Sequence, residues 1–338
     1  MFKKIIVVML IVMSVTVFIR NKEKIYTYDY FYFDTVNSVT IYYQNKDDVD
    51  LEEIDQGIED ILKTIEQTFS VYEDDSMISM LNQNKTIEMN SDMKTVVETS
   101  LYYCNESNQV YDPTIYPISQ LWSISNDNYL PTEDEINQAL VSVDCNNVVI
   151  DGNTLILTND ATLDLGSIVK GYAADQIVDY LKSQEINQAV INLGGNVSTM
   201  DARQGTNGYK VGIANPLIDQ SGTIATIEVE NKSVVTSGIN QRYFVENEIV
   251  YHHLIDAKTG YPVDNNLASV TIIADNGIDA DSLSTMIFLM GLENGYEYVS
   301  NLDGVDAIFI TNDQKVYSTT EDFNLSIVDE SFVLTQMY

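Results

Sequence analysis

The chain has 338 residues, 45% of them hydrophobic and 20% charged, with 51 acidic against 17 basic side chains and a formal net charge of −34. This composition supports a buried core and excludes wholesale disorder, while the charge repels phosphate backbones and makes nucleic acid a poor partner. Any phosphate ligand must be held locally, by a metal, a lysine or backbone amides.

The N-terminus reads as targeting sequence. Lys3 and Lys4 precede an apolar run from Ile5 to Ile19, broken only by Ser14 and Thr16. The run is short for a spanning helix, which needs about 20 residues, and suits a secretory h-region. No small-x-small site follows it and no cysteine stands near its end. Residues 1–24 are therefore read as a membrane anchor with the body outside the cytoplasm, cleavage as a signal peptide being the alternative; Arg20, Lys22 and Lys24 blur the positive-inside signal. Residues 25–338 carry no linker or repeat and are read as one catalytic unit.

Along that unit, Leu51, Ile54, Ile58, Ile61, Ile65 and Phe69 recur at helical spacing and predict an amphipathic helix over 51–69. Residues 92–104 read as a second helix, and Thr132 with Glu135 forms a capping box opening a third through Leu140. Strands are predicted at 36–43, 147–150, 154–158, 188–193, 209–213, 223–229, 268–274 and 305–310. The mixture is α+β. Cys104 and Cys145 match no metal spacing; they either pair in an oxidising compartment or stay as buried thiols.

Four glycine-bearing segments stand out. "DLGSIVKGYAAD" (164–175) runs into a periodic helix, and Gly166, Gly171, Lys170 and the helix-start amides suit an anion; a solvated lysine on a strand-to-helix turn is the bland reading. "INLGGNVS" (191–198) ends a strand in paired glycines, a weak signal alone. "VYHHLIDAKTGY" (250–261) holds both histidines of the chain, adjacent, with Asp256 close behind. In "IDADSLSTMIFLMG" (278–291), Asp279 is expected to cap a helix. Asp281, Ser284 and Thr285 then share one of its faces, an incomplete hard-oxygen set suited to Mg2+.

The order and wording of "DLGSIVKGYAAD", "INLGG", "VVTSG", "HHLIDAKTGYPV" and "DADSLSTMIFLMG" resemble the ApbE family of FAD:protein FMN transferases. The resemblance extends upstream through "FDTVNSVTIY", "YEDDSMISMLN" and "YDPTIYPISQLW", and so covers nearly everything after residue 30. It implies an ApbE-like, T-fold-like fold of mixed sheets with packed helices. It also implies an exported, Mg2+-dependent enzyme that takes FAD, releases AMP, and joins FMN through a phosphoester to a threonine of an acceptor protein of a redox or extracellular electron-transfer system. By similarity the flavin substrate is contacted by Phe33, Tyr72, Val110, Tyr111, Asp112, Asp164, Lys170 and Ile255. The metal is then held by Asp281 and Thr285 and by the backbone oxygen of Ser167, with Ser284 a further candidate where some relatives carry an acidic residue. His253 matches the family's histidine and is expected to orient phosphate or take the threonine proton, with Asp256 holding its ring; Asp281 is counted with them as catalytic. The chain departs from the family pattern in reading Phe33-Asp34-Thr35 for Met-Gly-Thr and Asp256-Ala257 for Asp-Pro. Two rival readings stay open, an FAD pyrophosphatase in which water replaces the threonine and a non-catalytic FAD-binding protein.

Overall fold

In a computed structural model, described over residues 23–44, 49–124, 127–320 and 322–337, the helical spacing at 51–69 becomes α1 (Leu51–Phe69). Its buried edge is Ile54, Ile58, Leu62, Ile65 and Phe69; Ile61, placed on the apolar face by spacing, sits at the margin and is only half-buried. Asp50 caps it by accepting from the Glu52 and Glu53 amides at 3.1 Å each. The remaining helices are α2 (Met77–Asn84), α3 (Ser91–Glu106), α4 (Tyr116–Trp122), α5 (Glu133–Leu140), α6 (Val169–Ser183), α7 (Gly277–Met290) and α8 (Leu292–Ser300). The Thr132–Glu135 capping box forms as expected, at the start of α5. Asp279 does not cap α7. Asn276 does, by accepting from the Asp279 amide at 3.1 Å, and the Asp279 carboxylate instead accepts from Tyr103 on α3 at 2.6 Å.

The strands are β1 (Glu23–Tyr32), β2 (Thr35–Gln44), β3 (Thr86–Glu88), β4 (Val148–Asp151), β5 (Thr154–Leu157), β6 (Gln188–Leu193), β7 (Asn196–Thr199), β8 (Tyr209–Ala214), β9 (Thr223–Val229), β10 (Ser233–Gly238), β11 (Tyr243–Glu246), β12 (Ile249–His252), β13 (Leu267–Ala274), β14 (Asp306–Thr311), β15 (Lys315–Ser318), β16 (Ser326–Ile327) and β17 (Val333–Leu334). Nine of them form one mixed sheet in the order β1-β2-β6-β7-β10-β13-β14-β15-β17, antiparallel except where β15 meets β17. Two three-stranded sheets, β16-β9-β8 and β3-β5-β4, and the separate hairpin β11-β12 complete the α+β architecture.

Every residue of β13 is buried, so both faces of this central strand are covered, because successive side chains point opposite ways. Helix α7 lies on β13 and β10, and β8 and β9 contribute Val211, Ile213 and Ile227 to the same core. A second core gathers α1, α6, β2 and β6, and α6 packs against α7 between the two. Trp122, Ile118, Ile136 and Ile255 make a third, smaller cluster beneath the β11-β12 hairpin, where Trp122 stands 5.3 Å from the Tyr251 ring. Among the described residues no helix is long and apolar enough to cross a membrane; the apolar run before residue 20 lies outside them.

Candidate functional site

The site is built where the starts of α6 and α7 meet. Gly171 and Gly277 pack backbone against backbone: a Cβ on Gly171 would fall 2.0 Å from the Gly277 carbonyl oxygen, and one on Gly277 would fall 2.4 Å from that of Gly171. Two helix starts, each with amides that lack intrahelical acceptors, are thereby brought side by side. Asp175 of α6 satisfies the second of them, accepting from the Gly277 and Ile278 amides at 2.6 and 2.8 Å. Burial pushes this carboxyl up to about 6 against those two hydrogen bonds.

Asp281, on the first turns of α7, closes the other. Its Oδ2 accepts from the Gly171 amide at 2.8 Å and its Oδ1 from the Asn196 side chain at 3.0 Å. Helix α6 begins at Val169, so the Gly171 amide is one of the donors that its first turn leaves without an intrahelical acceptor, and Asp281 takes it; no described donor reaches the Ser167 carbonyl. Asp281 is 5% exposed, and burial raises its pKa although Lys170 and these donors pull it down. Thr285 stands one turn on, half-buried, 3.2 Å from the Ser237 hydroxyl of β10. Ser284 is fully buried beneath them, bonded to Ser237 at 2.8 Å and to the Asp281 carbonyl at 2.9 Å, so its hydroxyl is spent inside the fold. The hard oxygens left near this helix start are thus those of Asp281, Thr285 and the Ser167 carbonyl.

These donors suit a divalent cation such as Mg2+. A buried carboxylate whose charge is opposed mainly by one lysine and a few N–H groups is under-neutralised, and hard oxygens at a helix start match an oxygen-ligated cation that fills its shell with water and phosphate. Among the described residues Cys104, Cys145 and Asp112 also lie within metal-ligand reach of one another, but the two sulfurs are joined in a disulfide and offer no thiolate.

Lys170 connects this cluster to the histidines, its charge being felt by both Asp281 and His253. His253 Nδ1 lies 3.2 Å from the carbonyl of Arg242, the residue just before β11. A carbonyl only accepts, so Nδ1 carries the proton and Nε2 keeps its lone pair. Burial, reinforced by the charges of Arg242 and Lys170, holds the imidazole well below its ordinary range and neutral at pH 7. The expected partner is elsewhere. The Asp256 carboxylate accepts from the Lys258 amide at 2.8 Å inside its own turn, and it makes no bond to the His253 ring. His252 is 6% exposed, its Nε2 against the Val263 carbonyl at 3.1 Å, and burial lowers it to about 4.

The other expected contacts divide. Tyr111 is buried with its hydroxyl 3.0 Å from the Ser167 hydroxyl and within electrostatic reach of Asp281 and Asp164. Asp164 receives the Gly166 amide at 3.0 Å and the Ser119 hydroxyl at 3.3 Å, and Tyr116 feels both it and Tyr72, which is 65% exposed at the rim. Phe33 sits in the β1-β2 turn, its amide held by Glu66 at 2.8 Å. Gly194, at the β6-β7 turn beside Asn196, is packed so closely that a Cβ there would lie 2.6 Å from the Thr35 side chain. Val110 borders a cavity of about 530 Å3 with Asp256, Leu289 and Met290. Asp112 is 5% exposed and fully engaged, accepting from the Thr114 amide and hydroxyl at 2.8 and 2.6 Å and from the Cys145 amide at 2.8 Å. The Ile255 side chain is buried in the Trp122 cluster. Sequence reading did not single out Asn196, Ser237, Arg242 or the capping role of Asp175. Asn196 directly follows the paired glycines of "INLGG", the one signal that pointed to it.

Known proteins resemble this chain in sequence and in fold. A family model described as the ApbE family matches residues 33–309. The FAD:protein FMN transferase of Klebsiella pneumoniae is 33% identical over 227 residues, covering 66% of this chain and 70% of that protein. That of Treponema pallidum is 29% identical over 306 residues, covering 83% and 84%. The solved flavin transferase ApbE from Vibrio cholerae superposes with a TM-score of 0.79 at 24% identity, covering 90% of this chain and 99% of its own, a likeness of fold. The ApbE protein of Thermotoga maritima gives 0.78 at 26% identity, covering 85% and 94%.

Proposed function

Because the chain belongs to the ApbE family, we propose that it is an FAD:protein FMN transferase that moves FMN from FAD to a threonine hydroxyl of an acceptor protein, with Mg2+ and with release of AMP. The observation that carries the reading is Asp281, buried and held by the start of α6, beside Thr285 and within the field of the Lys170 that also faces His253. In the reaction the threonine oxygen bonds to the FMN phosphorus, the bridging P–O bond breaks, and AMP leaves with the electron pair. Mg2+ at Asp281, Thr285 and the Ser167 carbonyl would neutralise charge on the pyrophosphate.

The residues supply the rest. Lys170 and the α6 start attract the anion that the −34 body would otherwise repel. His253 is suited to take the threonine proton at Nε2, its neutral state and its tautomer both being set by surrounding protein. Tyr111, tied to Ser167, lines the same face.

We further place the catalytic body on the extracytoplasmic side of a membrane, tethered by its N-terminal segment. The basic-then-apolar sequence of that segment supports this, as does a disulfide, which persists in oxidising compartments.

The test is incubation with FAD, Mg2+ and a carrier bearing the acceptor threonine, read by mass spectrometry. One added FMN per carrier and stoichiometric AMP are expected, both lost in Asp281→Ala. AMP and free FMN formed without carrier would convert the reading to a pyrophosphatase. Intact FAD, with a known transferase succeeding in parallel, would refute both.

A further inference from the structure

The one disulfide among the described residues joins Cys104, near the end of α3, to Cys145, in a single 3-10 turn across 41 residues of chain. Both sulfurs are buried, Cys104 at 0% and Cys145 at 4% exposure. Between the bridge and the site lies the segment 107–115, which carries Val110, Tyr111 and Asp112.

That segment is held in an unusual shape. Asn108 and Gln109 both have left-handed backbones, φ 52° and 65°. Such conformations persist in non-glycine residues only where neighbours over-determine them. Here the neighbours are those of the disulfide. The Cys104 carbonyl accepts from the Gln109 amide at 2.8 Å and from the Ser107 hydroxyl at 2.9 Å, and that hydroxyl accepts in turn from the Tyr111 amide at 3.1 Å. Across the bridge, the Gln109 side chain donates to Asp144 at 3.1 Å and the Cys145 amide donates to Asp112 at 2.8 Å. From Asp112 the path continues through Thr114, and from Tyr111 it reaches the Ser167 hydroxyl at 3.0 Å.

We propose that the Cys104–Cys145 disulfide is a positioning element of the FAD subsite, fixing residues 107–115 so that Tyr111 meets Ser167 just before α6 while Asp112 stays bonded to Thr114 and the Cys145 amide. This rests on the flavin-transfer reading for what the loop binds, but not for what the bridge holds. With the bridge broken, the hydrogen bonds that still link the two chain segments among the described residues are those of the Gln109 side chain to Asp144 and, in the reduced protein, to the Cys145 sulfur, and that of the Cys145 amide to Asp112, while the sheet and the α6–α7 contact, which do not use the bridge, stand unchanged.

Two preparations test this, the Cys104→Ala/Cys145→Ala double variant and the wild-type protein reduced with a phosphine under argon. Amide hydrogen exchange at Gln109, Thr114 and residue 145 is expected to quicken at least about tenfold, with Val270 to Ile272 of β13 keeping their protection. KM for FAD is expected to rise about tenfold with kcat within about twofold, a split that a purely global staple does not produce. Unchanged exchange at the three amides overturns the proposal. So does equal loss of protection in β13, failure of both preparations to fold, or a fall in kcat at constant KM. If the untreated wild type neither binds FAD nor transfers FMN, the flavin reading fails and the exchange measurement alone decides the role of the bridge.

Discussion

Replacing Gly171 by alanine sets helix propensity against packing. Alanine at a helix position is favoured over glycine by at most about 1 kcal/mol, so propensity alone predicts a more stable protein. The new Cβ, however, would lie 2.0 Å from the Gly277 carbonyl oxygen, 2.5 Å from its carbon and 2.7 Å from the Asp281 Cβ. All three belong to the start of α7, and two are backbone. Relief requires the helix starts to part by roughly 1.4 Å, the difference between 2.0 Å and an ordinary contact at 3.4 Å. Overpacking of this kind costs about 1–3 kcal/mol, and stretching the bond from the Gly171 amide to the buried Asp281 costs about 1–3 kcal/mol more. Even after subtracting propensity, Gly171→Ala is expected to destabilise by about 1–5 kcal/mol. A 1 Å displacement of a catalytic group costs about a hundredfold in rate, so FMN transfer is expected to fall at least that far. Thermal unfolding by circular dichroism and carrier mass spectrometry read the two effects. A Tm at or above wild type with full transfer would refute the reasoning, since it would mean that the α6–α7 contact neither bears on stability nor sets the position of Asp281.

Other expectations are as direct. His253→Ala is expected to slow transfer by about 10²- to 10⁴-fold, whereas Asp256→Asn, which keeps the turn bond to Lys258, changes it less than about threefold; equal losses would show that the carboxylate acts on the ring after all. Asp175 has a folded pKa of about 6 against an ordinary 3.8, so its stabilising contribution is complete below pH 3.8 and is lost as pH rises through 6. Relative to Asp175→Asn, the wild type is therefore expected to lose up to about 3 kcal/mol between pH 4 and pH 7, and a Tm difference that is constant over this range would contradict it. His252, lowered to about 4, acts oppositely, losing stability as pH falls from 6.5, which is why the difference between the two proteins is the quantity to follow. In the two-residue turn closing β1 and β2, Phe33 and Asp34 both have positive φ, 57° and 55°. Asp34→Gly, restoring the glycine of the family pattern, is expected to stabilise by a few tenths to about 1 kcal/mol in urea unfolding, unless the turn relies on the Asp34 side chain.

What the sequence disclosed and what it hid differ in range. The α1 spacing, the Thr132–Glu135 box and the i, i+3, i+4 grouping of Asp281, Ser284 and Thr285 are local, and local geometry carries them into the structure nearly unchanged. Two local readings failed because a side chain and an amide close together in the chain paired instead. Asn276 took the cap expected of Asp279, and the Asp256 carboxylate turned back on Lys258 rather than forward to His253. Strand β1 was not anticipated, although its tyrosines alternate; what secures it is distant, Tyr28 donating to the Leu51 carbonyl at 3.0 Å and Tyr30 to the Asp55 carboxylate at 2.7 Å.

The site depends most on contacts of this distant kind. Asp281 is reached by an amide 110 residues earlier and an asparagine 85 residues earlier, and His253 is oriented by a backbone carbonyl, a group every residue carries and no sequence pattern marks. The grouping on α7 therefore indicated which side chains hold charge, but not that Ser284 would be sealed beneath them by Ser237. That difference has a chemical consequence. With serine at position 284, the Asp281–Ser284–Thr285 grouping carries a single carboxylate, held by the Gly171 amide and the Asn196 side chain. That carboxylate and the glycine whose amide it accepts thus form a single device, and disturbing either side of the Gly171–Gly277 contact disturbs both.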